Sequence, residues 1–167
     1  MEAQLTPALS DTQIDRLWKD MLGAEVRALY FAELVGRLNQ RQRRLTMTGL
    51  AASSGAVVSF VLEFPGLTPV RTALPLIAAA ANLVLLVQQY QRSAVDAADL
   101  HFRWQKLAKD YEKLWENVYA DDAGEQLESL TGRATDISRA GNGFPYEPKV
   151  MLRWEQHVIQ HRLPAQS

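Results

Sequence analysis

Two long apolar blocks dominate the hydropathy pattern of this chain. Residues 45–62 read LTMTGLAASSGAVVSFVL and residues 72–87 read TALPLIAAAANLVLLV, and neither contains a charged side chain. The nine residues between them, EFPGLTPVR, carry glycine and two prolines, a turn composition. The pattern predicts a transmembrane helical hairpin, residues 45–87. As helices the blocks would run roughly 27 and 24 Å, slightly short of a hydrocarbon core of about 30 Å. The competing reading is a buried helical hairpin within a water-soluble α-protein.

On either side of the hairpin the apolar positions take a helical period. Residues 1–9 read as a loose tail, with Pro7 opposing helix. Ser10 with Gln13 forms a capping-box signature. Ile14, Leu17, Met21, Ala24, Ala28, Phe31, Val35 and Leu38 then alternate at spacings of three and four, a seam for helix packing over residues 10–44. Gly23 weakens that helix locally without ending it, and no stop signal separates it from the first apolar block. A second seam follows the hairpin: Leu83, Val87, Tyr90, Ala94, Ala97, His101, Trp104, Ala108, Tyr111, Trp115 and Val118, giving a stalk helix over residues 88–118. Asp15–Lys19, Glu33–Arg37, Arg92–Asp96 and Asp99–Arg103 have the i,i+4 spacing of solvated ion pairs.

The remainder, residues 119–167, reads as a turn (YADDAG), a short helix through Leu127, Leu130, Ala134 and Ile137, a loop (AGNGFPYEP), and a last helix from Lys149 carrying Val150, Trp154, His157 and His161. These elements are expected to pack back onto the stalk. The fold class is therefore all-α: a two-span hairpin whose long helical extensions pack as a bundle.

Charge marks the orientation. Arg37, Arg41, Arg43 and Arg44 precede the first block, and Arg92, Arg103, Lys106 and Lys109 follow the second, whereas the connection holds only Glu63 and Arg71. Both termini are expected in the cytoplasm. Arg41, Arg43, Arg44 and Arg92 have two readings, topology marking or contacts to an anionic ligand or lipid headgroup. The net charge of −1 gives no reason to expect duplex nucleic acid. No cysteine is present, which excludes thiol and disulfide chemistry. The polar start, MEAQLTPALSD, does not have the pattern of a signal peptide, so insertion is expected to rely on the hairpin itself.

Within the first block Gly49, Ala52, Ser53, Ala56 and Ser59 share one helical face, and Gly49/Ser53, Ala52/Ala56 and Gly55/Ser59 are small-xxx-small pairs. The face either packs on the second span or, in an oligomer, lines a hydrated path. Asn82 in the second block is likewise either an interhelical hydrogen-bonding residue or part of a pore-lining ring. The pore-lining candidates are Gly49, Ser53, Ala56, Ser59 and Asn82. A hairpin of two helices encloses no channel, so a pore requires several copies, a tetramer or larger ring.

Catalytic patterns are missing. His157 and His161 have metal-ligand spacing, but Gln156 and Val158 stand where the HExxH motif needs other neighbours, and no third ligand is evident, so no metal is expected. Gly-Asn-Gly lacks the strand-to-helix context of a phosphate loop. No nucleophile elbow or dinucleotide fingerprint occurs. The chain is expected to be no enzyme and to hold no cofactor.

Over residues 14–118 the chain resembles the SLATT proteins, bacterial two-transmembrane effectors associated with nucleotidyltransferase and SLOG domains. The resemblance lies in the pre-membrane helix EVRALYFAELVGRLNQRQRR with Tyr30, Glu33 and Arg37, the two small-residue-rich spans, and the post-membrane helix HFRWQKLAKDYEKLWENV with Phe102, Tyr111 and Leu114. The segment after Asp121 lies outside it. The resemblance implies a multi-pass protein of the bacterial inner membrane, acting in anti-phage defence by forming a pore that arrests growth. It further implies gating by a nucleotide made by a partner nucleotidyltransferase. The alternative class is a non-conducting membrane-anchored scaffold that recruits a cytoplasmic partner.

Overall fold

The computed structural model describes the backbone of residues 8–63 and 69–162, and the side chains of residues 8–47, 82, 84 and 86–162. Among these, the elements are four α-helices and one short 3-10 turn, with no strand: α1 Asp11–Glu63, α2 Pro69–Glu116, α3 Ala123–Ala140 and α4 Pro148–Arg162, with the 3-10 turn Gly141–Gly143 between the last two. The chain is all-α. Its contacts divide it into two compact units, one made of residues up to 33 and from 97 onward, the other of residues 34–96.

α1 begins as its sequence dictates. The Ser10 backbone N–H donates to Gln13 Oε1 at 2.9 Å, and the Gln13 N–H reaches Ser10 Oγ at 3.4 Å, a reciprocal capping box that satisfies two orphan donors. Leu9 corrects the expectation of a loose tail through residue 9. It is only 2% exposed, because an apolar residue just before the cap can fold back over the first turn. The helix then passes through Gly23 without a break.

The first unit alternates its four helical segments in direction. Trp18 meets Trp115 with ring centroids 5.2 Å apart, and ten residues further along α1 the Ala28 carbonyl lies 2.8 Å from His101 Nδ1, so these portions of α1 and α2 run antiparallel. Arg16 and Phe31 of α1 meet Thr131 and Phe144, which sets α3 parallel to α1. Glu33 and Glu25 meet Arg153 and Arg162, which sets α4 antiparallel. This is up-down-up-down packing. α1 supplies Leu17, Met21, Ala24, Ala28 and Phe31 to the core; α3 supplies Leu127, Leu130 and Ile137; α4 supplies Val150 and Val158. Burial of each large apolar side chain contributes about 1.5–3 kcal/mol before entropy is set against it.

On α2 the buried stripe differs from the expected seam. Ala97, Trp104 and Tyr111 are buried as expected, but their partners are Leu100, Leu107 and Leu114, while His101 and Ala108 are half-buried and Trp115 is exposed. Both frames satisfy a three-four alternation. The leucines occupy the frame with more apolar area to remove from water, and that frame faces inward. His101 sits at its edge, where Nδ1 donates its proton to the Ala28 carbonyl, since that oxygen can only accept.

In the second unit Leu34, Leu38 and Ala94 are buried, whereas Met47, Val84 and Leu86 are 61%, 55% and 39% exposed. The predicted spans, 45–62 and 72–87, lie almost wholly outside the residues whose side chains are described. Among the described residues, no helix is long and apolar enough to cross a membrane.

Candidate functional site

Arg41, Arg43 and Arg44 are exposed on α1 and Arg92 is exposed on α2. Beside Arg92 a shallow depression of about 370 Å³ is lined by Gln88, Gln91, Val95 and Asp96, all within about two turns of one helix. Asp96 shares that surface, and its carboxylate opposes binding of an anion there. Asn82 is exposed; Gly49, Ser53, Ala56 and Ser59 fall outside the described side chains. His157 and His161 are exposed, with their rings 4.3 Å apart. Among the described residues, no group of three or more His, Cys, Asp or Glu side chains is placed to hold a metal.

A different set of residues comes together in the first unit. The loop after α3 is pinned onto α1 by two consecutive aromatic residues. Tyr30 Oη donates to the Pro145 carbonyl, and Phe31 meets Phe144 edge to face at 5.7 Å. The 3-10 turn Gly141–Gly143 uses only negative φ, so it bends without left-handed backbone. Between this loop, α1 and α2 lies a cleft of about 360 Å³. Its walls include Arg27, Tyr30 and Phe31 from α1, Trp104 from α2, and Phe144 and Tyr146 from the loop; Ser138 and Asn142 add polar groups.

Among the described residues, Arg27 is the only ionised one lining this cleft. Its guanidinium lies over the Trp104 ring, 4.9 Å from the centroid, a cation–π arrangement. It has no carboxylate partner among the described residues. Gly23, one turn earlier, leaves it room: a Cβ there would stand 3.2 Å from Arg27 Nη1. The sequence alone does not mark this cleft. Its one local signal was Arg27, Tyr30 and Phe31 at helical i, i+3, i+4 spacing, and nothing local ties them to Phe144 or Tyr146.

Charged pairs close the rest of the unit. Arg162 donates from Nε to Glu25 at 3.1 Å and from Nη1 to Glu112 at 2.7 Å, bridging α4 to α1 and α2. The hydrogen bond to Glu112 is the largest cause that raises its pKa above the ordinary guanidinium value, with Glu25 adding to it against a burial penalty. Arg133 donates to Asp110 at 2.7 Å, tying α3 to α2. Tyr111 is buried, and burial followed by the nearby Asp20 carboxylate raises its hydroxyl above 10. The neighbouring Thr131 hydroxyl pulls the other way, although no group among the described residues stands in hydrogen-bonding geometry to the Tyr111 hydroxyl.

The molecule is thus an all-α protein with a four-helix unit holding an aromatic cleft, and a second unit bearing two uncharged apolar stretches. No protein family matches the chain, and no curated protein or solved structure is similar to it.

Proposed function

We propose that the chain is a pore- or channel-forming membrane effector that assembles as a homo-oligomeric ring, with residues 45–62 and 72–87 spanning the bilayer. The observation that carries this reading is the pair of charge-free apolar blocks, flanked by arginines on the sides away from their connection. The exposure of Met47, Val84 and Leu86 at the margins of those blocks supports it, since a single copy in water leaves these side chains uncovered. Two helices cannot surround water, so the conducting form is a ring of copies with the Gly49, Ser53, Ala56 and Ser59 face and Asn82 turned to its axis. Both termini are then cytoplasmic, and Arg41, Arg43, Arg44 and Arg92 stand at the cytoplasmic mouth. The resemblance to SLATT proteins supports a place in anti-phage defence, with a nucleotide biasing the open or closed state by binding one of them more tightly.

Reconstitution into dye-loaded or ion-loaded liposomes tests this. Leakage that depends on the protein and falls on Asn82→Leu is the expected result. Recovery of the chain as a detergent-free monomer in plain buffer overturns the membrane reading. Stable membrane insertion without leakage leaves the scaffold as the function.

A further inference from the structure

The geometry of the cleft between α1, α2 and the Phe144–Tyr146 loop points to a binding site for a nucleoside monophosphate-sized anion, its base stacked on the aromatic walls and its phosphate held by Arg27. The inference adds a site to the proposed function, and it does not require that the protein conduct.

Three observations carry it. First, the cleft is of small-ligand size; such sites run from about 300 to 1,000 Å³, and this one measures about 360 Å³. Second, its loop wall offers aromatic rings to a ligand. Tyr146 stands 72% exposed at the rim and Phe144 is half-buried beside it, while Phe31 and Trp104, 7% and 2% exposed, form a buried aromatic floor that fixes Phe144 and Arg27 in place. Stacking on such faces suits any nucleobase. Third, charge is one-sided. Arg27 is the lining cation, no lining residue is acidic, and its fork of N–H donors has no carboxylate to occupy it among the described residues. A guanidinium in that state matches a phosphate in geometry and charge. Asn142, with one amide donor and one acceptor group, provides the edge recognition a heterocycle needs. The mode is side-chain stacking and an arginine clamp, so the missing strand-to-helix phosphate loop is no obstacle.

The test is calorimetric titration of the full chain in detergent with adenosine and guanosine 5′-monophosphates, with inorganic phosphate and the free nucleosides as comparisons. Saturable binding of at least one mononucleotide, tighter than phosphate or nucleoside alone, is expected. Arg27→Met keeps the apolar stem and should weaken that binding by about tenfold or more. Tyr146→Ala, at an exposed rim position, should weaken it without unfolding the unit. No binding of either mononucleotide, equal affinity for phosphate alone, or an Arg27→Met protein that binds as well as the parent overturns the inference. Liposome leakage is read separately, so failure here leaves the channel proposal standing, and failure there leaves this one.

Discussion

Glu33 on α1 accepts a hydrogen bond from Trp154 Nε1 on α4 at 2.8 Å, across 121 positions of sequence. Arg153 donates to the same carboxylate oxygen. The two donors differ in consequence. The indole is half-buried and loses its partner if Glu33 goes, whereas the Arg153 side chain is 59% exposed and can turn to water. Glu33→Ala should therefore destabilise the protein by about 1–3 kcal/mol. Arg153→Ala should lose no more than about 1 kcal/mol. Denaturant unfolding of both variants checks the order, and a larger loss for Arg153→Ala would refute it.

Tyr111 holds its hydroxyl in the core with no hydrogen-bond partner among the described residues. Burial raises its pKa above 10. Its stabilising neutral form is fully present below the unfolded value and is lost as pH climbs through the folded one. This phenol should be the last to ionise in an alkaline absorbance titration while the protein stays folded. Tyr111→Phe should be neutral or stabilising, within about 1 kcal/mol, because it removes an unpaired polar group from the interior. A clear loss of stability would mean that the hydroxyl has a partner.

Gly23 sits mid-helix, where glycine is worse than alanine by about 1 kcal/mol. The only close atom to an added Cβ is Arg27 Nη1, the tip of a flexible side chain. Gly23→Ala should raise stability by roughly 0.5–1 kcal/mol, read as a higher unfolding midpoint. A lower midpoint would show that the guanidinium cannot yield.

The pKa of Arg162 is raised above the ordinary guanidinium value by its carboxylate partners, Glu112 first. A raised folded pKa stabilises below the unfolded value and fails only as pH rises through the folded one, so ordinary alkaline buffers should leave this tie intact. Arg162→Met should loosen α4 by about 1–2 kcal/mol, a figure held down because a third of the side chain is exposed. Faster amide exchange confined to α4 is the expected signature.

What was legible in the sequence was local. The Ser10–Gln13 cap, the α1 seam, and the Asp15–Lys19 and Asp99–Arg103 pairs, each at 2.7 Å, lie within a few residues of one another and obey helical spacing. The α2 seam was legible in period but not in phase, since His101 and Ala108 fit the count as well as Leu100 and Leu107 do. Val26, Tyr30 and Leu34 are buried outside the α1 seam; a helix enclosed on more than one side buries more than one stripe, and a single seam cannot reveal that. The Arg27 cleft joins α1 to a loop 115 residues later, as Tyr30 and Pro145 show, and no periodicity reports such a meeting. Of the site residues named from sequence, Arg41, Arg43, Arg44, Arg92 and Asn82 are exposed, and the cleft draws on none of them.

The discontinuous make-up of the four-helix unit sets an order of events at the ribosome. Its opening helix, through residue 33, must wait for residues 97–162 before its apolar face is covered, whereas residues 34–96 leave the ribosome as one uninterrupted run. The central stretch is therefore complete while the aromatic cleft, which needs residues 138–151 as well as 27–31, does not yet exist.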